Sequence, residues 1–253
     1  MVTTVAAQGT AKVVRKKGIA RFTMGNNVWL PLEVGAVLKP GTLIQTSDKP
    51  GSYVDLVLGE GETAPIARPT RPSDSRSYTP NADQNIVRLF ENTMLQIDKL
   101  SSMETGADTV SETQLDLQRG KIFGNVKKMS AASRYEVKLP NGVAGIRGTI
   151  YTLTAAGVVQ VLVGSVVIAY IGADGNPVTQ PVMGGQQFDA RTGQITPIKD
   201  FNQAEMVKLA KESRIGPNVP PTTLTVDQTI YFVSPTIGHN GNQGANGPPP
   251  GGG

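Results

Sequence analysis

The run VVQVLVGSVVIAYI at 158–171 is nearly continuous in apolar side chains, and its length alone would suit a buried helix. Its content argues otherwise. Six of its fourteen residues are valine, whose branched Cβ fits a pleated strand better than a helical turn, and Gly164–Ser165 interrupts it at the centre. The run therefore reads as two buried strands joined by a bend. The same grammar of short β-branched or alternating segments between Gly, Pro, Asn and Asp holds for nearly everything before residue 199. Strands are expected at Ala11–Val14, Gly18–Phe22, Val28–Pro31, Leu43–Thr46, Ser52–Leu58, Ile86–Phe90, Thr93–Ile97 and Gln114–Gln118. Further strands are expected at Lys121–Val126, Tyr135–Leu139, Thr149–Thr154, Val158–Val163, Val166–Ile171 and Val182–Phe188. In the segment 53–58, Val54, Leu56 and Leu58 take the core face and Tyr53, Asp55 and Val57 the other. The fold class is all-β: short stacked strands in an elongated β-roll, a β-helix-like coil or a sandwich, which strand length and glycine spacing do not separate.

Four segments follow from composition. Residues 1–190 form the β domain, interrupted at 59–85 by a stretch with Pro65, Pro69, Pro72 and Pro80, which reads as a long surface insertion. Residues 199–216 read as a helix, with Asn202 and Glu205 as a capping box, Phe201 placed to staple against Met206, and Val207 and Ala210 on the apolar stripe. Residues 217–233 hold a proline linker and an extra strand, TTLTVDQTIYFV, which could pair with its own body or with a neighbouring copy. Residues 234–253 contain seven Gly and four Pro and read as a flexible tail.

Several chemistries are excluded by what the chain lacks. It has no cysteine, so disulfides, thiolate nucleophiles and thiolate metal sites are absent, and its one histidine, His239, lies in the tail. No cofactor or metal is expected. No run of 18 apolar residues is present, so no membrane span is expected, and the opening MVTTVAAQGT has neither the basic start nor the apolar run of a signal peptide. The formal charge of +4 is distributed in blocks, basic at 1–40, acidic at 86–118 and basic again at 119–138. Such blocks suit a solvated strand surface, or can steer one copy toward another. Nucleic-acid binding is not expected, because aromatics make up only 5% and no dense basic track accompanies them. The carboxylates Asp98, Glu104, Asp108, Glu112 and Asp116 offer pairs by number, but no motif marks a glycosidase pair or a calcium loop among them. The chain is therefore read as not an enzyme.

The stretch YEVKLPNGVAGIRGTIYTL at 135–153 is the most informative. Pro140, Asn141 and Gly142 signal a tight turn, and Gly142, Gly145 and Gly148 recur at three-residue spacing, which permits close backbone packing. Arg147 between small neighbours can extend its five donors across the turn to carbonyls, or to a carboxylate such as Glu136 or Asp116. Thr149 opens the next strand. The group reads first as a structural clamp.

Pro140, Gly142, Ala144, Arg147, Gly148 and Thr149 together resemble the hallmark of the FecR family of bacterial extracytoplasmic domains, an alternating strand, a Pro-x-Gly turn and an A-x-x-R-G-T element. LDLQRGKI at 115–122, VLVGSV at 161–166 and LKPGTLIQT at 38–46 resemble other family segments, the last with Thr42 where an acidic residue is usual. The resemblance spans about residues 5–190 and implies an envelope or extracellular location, periplasmic, at the cell surface or secreted. Its best-known members regulate sigma factors in iron uptake through an N-terminal cytoplasmic region and a membrane segment that this sequence does not show. The expectation is thus a non-enzymatic protein-interaction or structural domain, self-assembling through its C-terminal strand. The alternative is a signalling or glycan-binding module. Candidate partner contacts are Trp29, Tyr78 and Tyr231, with Tyr170 as a further sugar-stacking surface. Partners are expected to be proteins, copies of the chain among them, with polysaccharide as the alternative.

Overall fold

The computed structural model describes residues 6–59 and 85–213, apart from 27, 106, 107 and 173. The strands, in chain order, are β1 (Ala7–Gln8), β2 (Ala11–Lys17), β3 (Ala20–Thr23), β4 (Leu30–Pro31), β5 (Val37–Leu38), β6 (Leu43–Thr46) and β7 (Tyr53–Leu58). There follow β8 (Asn85–Leu89), β9 (Met94–Glu104), β10 (Thr109–Arg119), β11 (Lys121–Asn125), β12 (Arg134–Leu139) and β13 (Gly142–Ile146). The last are β14 (Ile150–Thr154), β15 (Val158–Val163), β16 (Ser165–Ile171), β17 (Pro177–Met183), β18 (Gln186–Asp189) and β19 (Gln194–Pro197), before helix α1 (Asp200–Glu212). The protein is all-β with a single C-terminal helix.

Two open sheets share one core. The first runs β17-β16-β13-β12-β10-β9-β6-β3-β4, with β1 attached to β9, and the second runs β19-β18-β15-β14-β11-β8-β7-β2-β5. Every strand pair is antiparallel except β10 with β12. The chain adds a strand or a hairpin to one sheet, crosses to the other, adds there, and returns, so both sheets grow in step from the β4/β5 end to the β17/β19 end. Inward side chains of both sheets, among them Leu56, Leu89, Ile97, Leu115, Val137, Leu153, Val161 and Phe188, form one buried cluster. Tyr135 from β12 and Tyr151 from β14 meet at its centre and are wholly buried. Burial holds both phenols well above their ordinary pKa, and the hydroxyls interact only with each other. Gly124 makes room for this pair, because a Cβ there would sit inside the Tyr151 ring.

The alternating blocks of charge fall on neighbouring strands. On the first sheet, Lys138 on β12 reaches Asp98 on β9 at 2.8 Å, and Lys99 reaches Glu112 across β9 and β10 at 2.6 Å. The Lys138–Asp98 pair thus joins the second basic block to the acidic one, while Lys99 and Glu112 pair within the acidic block.

Several expectations are corrected. The segment Val182–Phe188 is not one strand: Gly184–Gly185 turns there, with Gly185 at φ 81°, and sends β17 and β18 into different sheets. Val54, Leu56 and Leu58 do take the core face, and Asp55 and Val57, on the far side of the second sheet, are buried as well. The helix starts before Asn202, with Lys199 as its N-cap and no side-chain cap, so the capping box does not form. Phe201 is 80% exposed and staples nothing. The packing role falls instead to Ile198, whose N–H donates to the Gly185 carbonyl at 2.9 Å and whose side chain joins Phe123, Leu162, Met206 and Leu209. The insertion at 60–84, the linker and strand at 217–233, and the tail at 234–253 lie outside the described residues.

A charged clamp locks the helix end onto the second sheet. Arg88 on β8 donates Nε and Nη2 to the two carboxylate oxygens of Asp55 on β7, at 2.7 and 2.9 Å, and Nη1 to Glu212 at 3.0 Å. Arg15 on β2 lies 3.1 Å from Asp55 and donates to the Glu212 backbone carbonyl at 2.6 Å. Burial opposes the charge on Arg88, but Asp55, aided by Glu212, more than compensates and raises its pKa.

Candidate protein-interaction site

The residues of the 140–149 motif do come together, and they tie two crossings between the sheets. Pro140–Asn141 turns β12 into β13, with Leu139 opposite Gly142. Gly142 is not in a left-handed conformation, contrary to the expectation of a positive-φ turn glycine. It is needed because β16 passes so close that a Cβ would strike the Ala169 carbonyl oxygen. Residues 142–146 are a strand and not a corner, placing Ala144 in the core and Gly145 between Glu136 and Val167. Gly148, at φ 64°, makes the actual crossing to β14, against the backbone of Lys128. Arg147 donates to the Ser130 carbonyl at 2.8 Å and so grips the neighbouring crossing at 126–133; a carbonyl is among its expected targets. Thr149 is buried and donates its hydroxyl to the Ser165 carbonyl at 2.7 Å. Gly142, Arg147, Gly148 and Thr149 thus make close contacts between neighbouring chain segments, and Ala144 and Gly145 lie within β13.

Residues 69–167 match the model of the family described as FecR protein. The chain is similar to the FecR family over that segment, which supplies the middle strands of both sheets, β8 to β15 and the start of β16, with further strands on both flanks. Two crystal structures from Parabacteroides distasonis ATCC 8503, at 1.65 and 2.50 Å and described as anti-sigma factors by assignment, are remotely similar. One has 14% identity over 66% of this chain and 64% of its own, with a TM-score of 0.41. The other has 16% identity over 47% and 53%, with a TM-score of 0.34. The chain thus spans less than two thirds of either molecule. No curated protein matches the sequence.

Beyond the FecR match, one end of the molecule carries a distinctive surface. Of the nine large hydrophobic residues exposed among the described residues, six lie between positions 19 and 37: Ile19, Met24, Val28, Leu30, Val34 and Val37. Met24, Val28 and Leu30 lie on the β3–β4 hairpin, Ile19 just before β3, Val34 in the turn that follows and Val37 on β5, where both sheets end among the described residues. The strand reading placed Leu30 within a strand, and it is; but β4 has only two residues, has no strand beyond it among the described residues, and leaves both exposed. Trp29 is half-buried in this hairpin under the Arg21 guanidinium, 4.4 Å from the ring centre. Arg21 also donates to Gln45 at 2.8 Å. Beside the hairpin an open groove of about 460 Å³ is lined by Ile19, Arg21, Asp48, Asn92 and Arg119, among others.

Sequence reasoning found Trp29 but missed its apolar neighbours, because an apolar residue in a strand-like run is assigned to the core by default. Tyr78 and Tyr231 lie outside the described residues. Tyr170 packs against Phe188 with ring centres 5.3 Å apart. Among the described residues no cluster of His, Cys, Asp or Glu could hold a metal ion, and no helix is long and apolar enough to cross a membrane.

Proposed function

We propose that this FecR-like protein is a non-enzymatic binding domain of the bacterial envelope that docks a protein partner through its β3–β4 hairpin. The observation that carries the reading is the concentration of exposed apolar side chains on Ile19, Met24, Val28 and Leu30 around Trp29. Soluble proteins expose scattered apolar residues freely, whereas several within one short stretch at the end of a sheet are characteristic of an interaction surface. An envelope setting agrees with the family, whose domains are typically periplasmic. A signalling role agrees with the anti-sigma assignment of the similar structures. The polysaccharide alternative has less support, since Arg21 covers one face of Trp29 and leaves a sugar only the other. Self-assembly remains a special case of the same reading, in which the docked protein is a second copy.

Site-specific photo-crosslinking in native envelopes tests this. A photoreactive residue at position 24 or 28 should yield a discrete adduct with a protein, and one at the exposed Ile195 on the opposite end should not. Equal labelling from both ends, or no adduct from either hairpin position, would refute the hairpin as the docking surface. The mass of the adduct distinguishes a second copy from another protein.

A further inference from the structure

The groove beside the hairpin narrows the chemistry of the partner, granted the docking reading above. Its lining contains two guanidinium groups, Arg21 and Arg119, against one carboxylate, Asp48. Two other cations of this end are held elsewhere: Arg15 by Asp55, and Lys16 by Glu33 at 2.8 Å and by the Leu32 carbonyl at 2.7 Å. Arg21 is oriented by stacking on Trp29 and by Gln45, which engages Nε and leaves the terminal nitrogens of its fork unbonded. Arg119 is exposed and has no hydrogen bond or ion pair among the described residues. A planar guanidinium already fixed on a ring is well arranged to receive a carboxylate through two parallel N–H donors. Ile19, 76% exposed, lies on the same wall, and Met24, Val28 and Leu30 are exposed on the β3–β4 hairpin. The groove volume of about 460 Å³ suits a few side chains of a peptide segment.

We infer that the groove and the hairpin together bind a protein segment in which aspartate or glutamate lies next to apolar residues. The carboxylate would sit between Arg21 and Arg119, and the apolar side chains on Ile19 and the hairpin. Attraction to the guanidinium pair would speed encounter and weaken with salt, while the apolar contacts would hold the complex.

The test is selection of random 12-residue display peptides on the full chain, followed by anisotropy titration of the enriched peptides. Enriched sequences should pair Asp or Glu with Leu, Ile or Phe. Their Kd should rise at least tenfold with Arg119→Glu and between 0.05 and 0.5 M NaCl, an increase typical of lost charge contacts (about 1.4 kcal/mol). It should also rise at least tenfold in the double variant Met24→Lys/Val28→Lys; circular dichroism checks that both variants are folded. Peptides lost on the double variant but indifferent to Arg119→Glu and to salt would overturn the carboxylate assignment and leave the hairpin reading standing. Peptides indifferent to both variants, or no enrichment at all, would overturn both. Enrichment of a segment of this chain's own sequence would support the inference with a second copy as the partner.

Discussion

Replacing Arg88 with alanine tests the clamp that holds α1 to the second sheet. The Asp55 side chain is only 2% exposed, and Arg88 supplies two of its hydrogen bonds. Removing one member of a buried ion pair costs about 3–5 kcal/mol, mainly because the partner's charge stays buried. Here Asp55 keeps Arg15 at 3.1 Å, which places the expected loss near the lower limit, about 3 kcal/mol. The substitution also removes the guanidinium 4.1 Å above the Tyr53 ring and the tie to Glu212. With a urea m-value of about 2–3 kcal/mol/M, the midpoint should fall by about 1–1.5 M. Amide exchange in residues 206–212 should accelerate more than exchange in β14, because the helix end loses an anchor before the core does. The companion variant Arg88→Met/Asp55→Leu removes the buried carboxylate together with its partner and should recover part of the loss, but not all of it, because Arg15, with a side chain 12% exposed, then keeps only the Glu212 carbonyl. If the single variant costs less than about 1 kcal/mol, or if the two substitutions add within about 0.5 kcal/mol, the clamp does not work as an interacting unit.

Gly142→Ala should destabilise by about 1–3 kcal/mol, read from urea melts, because β16 must move away from the new methyl group. Arg147→Met should cost about 2 kcal/mol by losing the charged hydrogen bond to Ser130, yet leave hairpin binding unchanged; a loss of binding would reassign the residue as a contact. The Tyr135–Tyr151 pair should produce alkaline destabilisation: both phenols titrate above their ordinary value when folded, so the unfolded chain releases protons first as pH passes 10. Their stabilising preference is full below that point and is lost above it at about 1.4 kcal/mol per pH unit for each tyrosine. Urea midpoints between pH 9.5 and 11 give the slope, and native absorbance at 295 nm showing all tyrosines ionised near pH 10 would refute it.

Strand existence was legible where periodicity and turn chemistry agreed. Leu43–Thr46 and Val158–Val163 occupy the segments expected, and Gly164, at φ 84°, makes the bend between β15 and β16. The same reading failed where an element's exposure depends on distant chain. Asp55 and Val57 alternate like a solvated face, and nothing local announces that Arg88, 33 residues later, would bury that face with a charged partner. The 142–146 segment hid a strand behind its glycines, because small residues chosen for close approach to β16 look identical in sequence to turn residues. The hairpin surface was unreadable for the opposite reason. Leu30 and Val28 have the character of core strand residues, and only their place at the last strand of a sheet exposes them.

The order of the strands explains why a binding surface would arise at this end. Because both sheets lengthen together as the chain proceeds, the middle strands are covered on both edges by neighbours, and each change there disturbs two pairings. The FecR-matched segment occupies that middle, and its motif residues hold crossings between the sheets. At the β4/β5 end a strand has a neighbour on one side only, and β4 offers Leu30 and Pro31 at the edge. Pro31 has no N–H to give a further strand, which disfavours continuation of the sheet by backbone pairing. On the docking reading proposed above, a partner arriving there would be recognised through side chains and not by added strand pairing, and variation at this end could alter the partner without altering the clamp that makes the fold.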